Sequence, residues 1–245
     1  FDFYELDRPY VEAVAAPIDA YHAALRQLLG LPALAVTGRV TVAVTTNYVA
    51  PGTVPPDRTL VEPSPYLYFA APPGREGPLL YAEAETTLLH RLQAQLRTRT
   101  IQESRDVYGI QVMWQPLAGH LEFWLSEHAA ELPALARGGS LQEEDRFVWP
   151  AQALVTLTGE HMNSTQLAEE LAHRSDVIAF SAHAFFDFLV ADRGPDAVPA
   201  LLAAFGTQDS WPAVVDEAFG LSMDELLARW EAYEARSEKS EPSGG

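Results

Sequence analysis

The chain has 245 residues, 48% of them hydrophobic, with 34 acidic against 16 basic side chains, a formal net charge of −18 and no cysteine. The apolar content is enough to build a core and excludes a disordered chain. The acidic field repels phosphate backbones and anionic membranes, which argues against nucleic acid as a partner, and the missing thiols exclude disulfides and thiolate metal sites.

No apolar run approaches the ~20 residues that cross a bilayer, so direct membrane insertion of this fragment is not expected. The start at Phe1 instead of Met suggests an upstream leader, anchor or tag that has been removed. Pro9 to Leu29 places Val11, Val14, Ile18, Tyr21, Leu25 and Leu28 at helical spacing, and Gly30 closes the pattern. From Gly38 to Asn47, alternation of Val40, Val42 and Val44 with threonine gives a strand buried on one face. Five prolines between Ala50 and Pro65 make that stretch a loop or an edge excursion. Tyr66 to Ala71 reads as a short aromatic strand ending at Pro72-Pro73-Gly74.

Helices then dominate: Pro78 to Arg97, Gly119 to Arg137, Pro150 to Leu157, Thr165 to Ala191, Pro195 to Phe205, Trp211 to Phe219 and Ser222 to Arg236. The last opens on a capping box, Ser222 with Glu225 three residues on. A polar tail, residues 237–245, is read as disordered. The expected class is α+β, predominantly helical, as one domain over 1–236: a small N-terminal mixed α/β lobe at 1–77 and a helical lobe at 78–236.

Two stretches carry the candidate chemistry, Leu88 to Ala94 (LLHRLQA) and Trp124 to Glu131 (WLSEHAAE). With Ile178 to Gly194, Val198 to Phe205, Val215 to Gly220 and Leu221 to Tyr233, taken in order, the chain resembles the gluzincin-type metallopeptidases, in particular the bacterial peptidase MA-like domains. The resemblance implies a zincin-like two-lobe architecture. In that family a His-Glu-x-x-His helix presents two imidazoles to one zinc ion, the Glu takes a proton from the metal-bound water, and a Glu from a later helix completes the ligands.

On that resemblance His90 matches the first histidine and Glu127 the third ligand. Arg91 stands where the general base belongs and Ala94 where the second histidine belongs, while Phe180 replaces a tyrosine that would steady an oxyanion. Ala94 offers no lone pair, and Arg91 is a permanent cation that repels a dication. Arg91 could instead fill the vacated metal position and pair with Glu127. The resemblance therefore implies a pseudopeptidase with no metal and no catalytic residues. Its cleft, lined by Trp124, His128 and Phe180, would hold a peptide or protein ligand between the lobes. The domain would be extracytoplasmic, secreted or anchored through a segment absent from this chain, with cytoplasmic placement still open.

Plainer accounts stand beside this one. His90 alone is an ordinary hydrogen-bonded helix histidine, Glu127 a carboxylate paired with Arg91 or His128, and Phe180, Phe185, Phe186 and Phe188 a helical core stripe. Two loose groups, His120/Glu122/Glu127/His128 and His173/Asp176/His183/Asp187, could supply a different metal site, and Glu143-Glu144-Asp145 reads as a solvated loop. The alternatives are an active zinc hydrolase using His90 and Glu127 with His120 or His128, and a structural module with no groove. No phosphate loop or nucleophile elbow occurs, and Ser126 lacks the glycines such an elbow needs.

Overall fold

A computed structural model of the chain describes residues 1–32, 40–45, 59–65, 78–111, 114–139 and 185–240. The fold is predominantly helical with a small two-stranded parallel sheet near the N-terminus. The first long helix, α1 (Arg8–Leu28), has Pro9 in its opening turn, where a missing N–H costs nothing. It buries Val11, Val14, Ile18, Tyr21, Leu25 and Leu28, the stripe expected from the spacing. Its end is pinned by Arg26, which donates to the Pro32 carbonyl at 2.8 Å and to Glu103 at 2.6 Å. Gly30 follows at φ +65, a conformation costly for any side chain, and a Cβ there would meet the Tyr108 hydroxyl at 2.5 Å and Pro199 at 2.6 Å.

The strands β1 (Thr41–Thr45) and β2 (Thr59–Pro63) pair in parallel, with Val42 opposite Leu60 and Val44 opposite Glu62. Asp2 bridges the other side of β1, accepting from the Val44 amide and donating to the Val42 carbonyl, both at 2.7 Å. β2 lies in the proline-rich stretch and, among the described residues, is an edge strand, which suits its prolines. The aromatic strand expected at Tyr66 to Ala71 lies outside the described residues.

The helix expected at Pro78 to Arg97 runs a full three turns further, as α2 (Pro78–Tyr108). In the Thr/Ser-rich extension the buried hydroxyls are satisfied by bonding back along the helix, Thr100 to the Leu96 carbonyl and Ser104 to the Ile101 carbonyl, each at 2.6 Å. It stops at Gly109, φ +69. Ala84, Leu88, Leu92, Leu96, Thr100 and Ser104 form one buried ridge at four-residue intervals.

The helix expected at Gly119 to Arg137 is two pieces, α3 (Trp114–Glu127) and a short α4 (Leu132–Leu135). Pro133 breaks it: it has no N–H to give the Ala129 carbonyl, and the chain turns through 128–131 before restarting. Of the expected helix at Thr165 to Ala191, residues 185–193 are described and helical (α5); Pro150 to Leu157 lies outside the described residues.

Three helices finish the chain: α6 (Ala197–Thr207), α7 (Trp211–Phe219) and α8 (Met223–Ser240). The capping box before α8 is formed, the Glu225 amide donating to Ser222 Oγ at 3.2 Å and the Ser222 amide to Glu225 at 2.8 Å. α8 runs on through 237–240, into the stretch read as a polar tail, and residues 241–245 lie outside the described residues.

Buried side chains from Tyr10 to Tyr233 form one continuous cluster that crosses the expected boundary between residues 77 and 78. α1 packs against α2 and α4, and α6 against α2. At that last crossing a Cβ on Gly206 would lie 2.0 Å from the Tyr108 carbonyl oxygen, so the two backbones meet where only glycine fits.

Candidate functional site

The ridge of α2 sets the direction of every candidate on it. At 100° per residue, His90 and Ala94 lie on the side turned away from Leu88, Leu92 and Leu96, while Arg91 and Gln95 flank the ridge. Accordingly His90 is exposed and Ala94 half-buried. Arg91, its side chain 49% exposed, reaches back to β2, with Nη1 3.9 Å from Glu62 Oε2. Gln95, one turn on, donates its amide N–H to Glu62 Oε1.

The expected pairing of Arg91 with Glu127 is not what forms. The counter-charge of Arg91 is Glu62, and Glu127 ends α3 exposed to solvent. An exposed carboxylate keeps its hydration and needs no cation, which removes the reason for that pairing. No hydrogen bond or ion pair among the described residues joins His90 or Arg91 to Glu127. The four positions do not make a donor set for zinc: they offer one imidazole and one carboxylate, both exposed, with Ala94 silent and a guanidinium between. Among the described residues no group of three or more His, Asp or Glu side chains is arranged to hold a metal ion.

Glu62 is the residue that sequence reasoning missed. Its side chain lies on the inward sheet face with Val42, Val44 and Leu60, at 3% exposure. Burial pushes its carboxyl up to about 7, against the opposing pull of Arg91 and the Gln95 hydrogen bond. The signal was present in the two-residue parity of Leu60 and Glu62, hidden by the prolines that made the stretch read as loop.

A second polar cluster lies where α3 meets α5. Asp187, 4% exposed, accepts from Trp124 Nε1 at 2.9 Å and approaches His128 Nε2 at 3.0 Å on the same oxygen. The other ring nitrogen of His128 faces Glu131 at 3.8 Å. Burial alone would lower the His128 pKa, but the bond to Asp187 and the charges of Asp187 and Glu131 outweigh it and leave the imidazole above its ordinary value. Trp124 is fully buried and stacks on Phe186 at 5.3 Å.

Trp124 and His128, expected to line a cleft, are thus drawn to Asp187, and His128 does not serve Glu127. Of the alternative metal groups, Glu122 accepts from Thr98 Oγ1 at 2.6 Å and lies 4.0 Å from Arg97, tying α3 to α2. His173, Asp176, His183 and Glu143-Glu144-Asp145 lie outside the described residues, as does Phe180; Phe185, Phe186 and Phe188 are core. The carboxylates that do meet basic partners here can orient and hold charge, and neither cluster presents a nucleophile beside its base among the described residues.

Comparison with protein-family models, with curated proteins and with solved structures finds no match to this chain.

Proposed function

We propose that the chain is a metal-free, non-catalytic domain of zincin-like architecture that holds an extended peptide or protein segment in a groove beside α2, on the extracytoplasmic side of the cell. The observation that carries this is Arg91. At the position a general base would need, the side chain is a permanent cation directed at a buried carboxyl on β2, an arrangement that holds helix to sheet and has no proton to accept. The ordered resemblance of the helical segments supplies the architecture and the class of partner, because backbone pairing along a strand edge needs no metal.

Metal content tests it. Protein purified without chelator should carry far less than about one equivalent of zinc and show unchanged thermal stability in EDTA. Stoichiometric zinc that is lost to the chelator with a fall in melting temperature would instead favour the hydrolase with a non-standard ligand set. The ligand is sought by panning a random peptide library on the intact chain. Failure to enrich any sequence would favour the purely structural module.

A further inference from the structure

We propose that Glu62 is a protonation-controlled latch between the sheet and α2: neutral, it lets β2 lie closed on the helix; ionised, it draws the strand toward Arg91 and water and loosens the sheet. The inference stands on the packing of β2 against α2 and does not depend on the domain's architecture or ligand.

Glu62 occupies a sheet face otherwise made of Val42, Val44 and Leu60, and a carboxylate removed from water costs several kcal/mol unless it is closely paired. The pairing here is loose. Arg91 approaches to 3.9 Å, beyond hydrogen-bond distance, and keeps half its side chain in solvent. The one hydrogen bond Glu62 receives comes from the neutral Gln95. Nothing else among the described residues brings a charge to it. β1 (Thr41–Thr45) carries no titratable side chain, and Asp7, in the N-terminal turn, accepts from Ser64 Oγ just beyond β2 at 2.7 Å.

The undercompensated carboxyl therefore titrates close to neutrality, and ionisation favours whatever motion shortens the distance to Arg91. Arg91 is on the solvent flank of α2, so that motion carries β2 outward. A carboxyl raised from 4.5 to about 7 makes the closed form progressively less favoured as the pH rises between those values. Between about pH 5.5 and 8 the closed-to-open ratio falls on the order of 25-fold.

Two measurements on the intact chain decide it. Side-chain carboxyl NMR of labelled glutamate should show Glu62 titrating near neutrality, and Arg91→Gln should move its midpoint upward. Amide hydrogen exchange over 41–45 and 59–63, corrected for intrinsic rates, should lose about 25-fold protection between those two pH values in the wild type. Glu62→Gln, whose carbonyl still accepts from Gln95, should abolish that loss and be the better protected at the higher pH. Titration of Glu62 in the ordinary carboxylate range, or equal loss of protection in wild type and Glu62→Gln, overturns the latch.

Discussion

Replacing Asp187 by asparagine tests how α5 is held to α3. One carboxylate oxygen serves both the Trp124 N–H, at 2.9 Å, and His128, at 3.0 Å. Asparagine keeps an acceptor for the indole but loses the charge that holds the imidazolium. A hydrogen bond to a charged group contributes about 1.5–3 kcal/mol net, so Asp187→Asn should cost about 2 kcal/mol, or roughly 4–8 °C in melting temperature for a chain of this size. Asp187→Ala also removes the acceptor of the buried Trp124 N–H and should cost about 3–5 kcal/mol.

The sign of the pH dependence follows from His128. Its folded pKa lies above 6.5, so the stabilisation from its charged form is complete below about 6.5 and fades as the pH rises through the folded value. Chemical denaturation of wild type and Asp187→Asn should therefore show the larger gap near pH 6 and a smaller one near pH 9. In the variant, burial is no longer opposed by the Asp187 charge, and the imidazole resonance should titrate lower than in the wild type. A gap of equal size at both pH values, or an unchanged His128 titration, would refute the reasoning.

Ala94→His alone should produce no peptidase activity in a fluorogenic peptide assay, because Arg91 still occupies the place of the base. Adding Arg91→Glu sets a second carboxylate beside buried Glu62, so the double variant should unfold at lower temperature than the triple one that also carries Glu62→Gln. Gly206→Ala should destabilise by about 1–3 kcal/mol or more in urea titration, since the new Cβ would lie 2.0 Å from the Tyr108 carbonyl oxygen and α6 must move off α2 to admit it. Arg26→Met removes the bonds to the Pro32 carbonyl and Glu103 and should cost about 1–3 kcal/mol by the same measure, with faster amide exchange around residues 29–31.

The local features were legible where one physical rule acted alone. The stripe of α1, the bounds of α7 and the Ser222–Glu225 box each follow from spacing and capping chemistry, and each is in place. Element ends were lost where rules competed. The helix read as ending at Arg97 runs on to Tyr108, with the Thr100 hydroxyl bonded to the helix itself; the single helix read over Gly119 to Arg137 is broken at Pro133. The candidate site was the least legible part. Helical spacing put His90 and Ala94 on one face, but which face met the core depended on the Leu88–Leu92–Leu96 ridge docking against other elements. The partners that matter, Glu62 for Arg91 and Asp187 for Trp124 and His128, come from elements 29 and 59–63 residues away, and no local pattern pairs them.

The crossing of Gly206 with Tyr108 also bears on how the chain is made. α2 is about 46 Å long, and its apolar ridge is emitted from the ribosome roughly a hundred residues before α6, the helix that closes on its C-terminal end. α1, made first, can pack on that ridge at once, but at about 5–20 residues per second the end that meets α6 waits several seconds for its cover, an interval in which a chaperone or a neighbouring nascent chain can reach it. Close backbone packing between distant segments, which makes the finished domain tight, thus ties its biogenesis to synthesis of nearly the whole sequence.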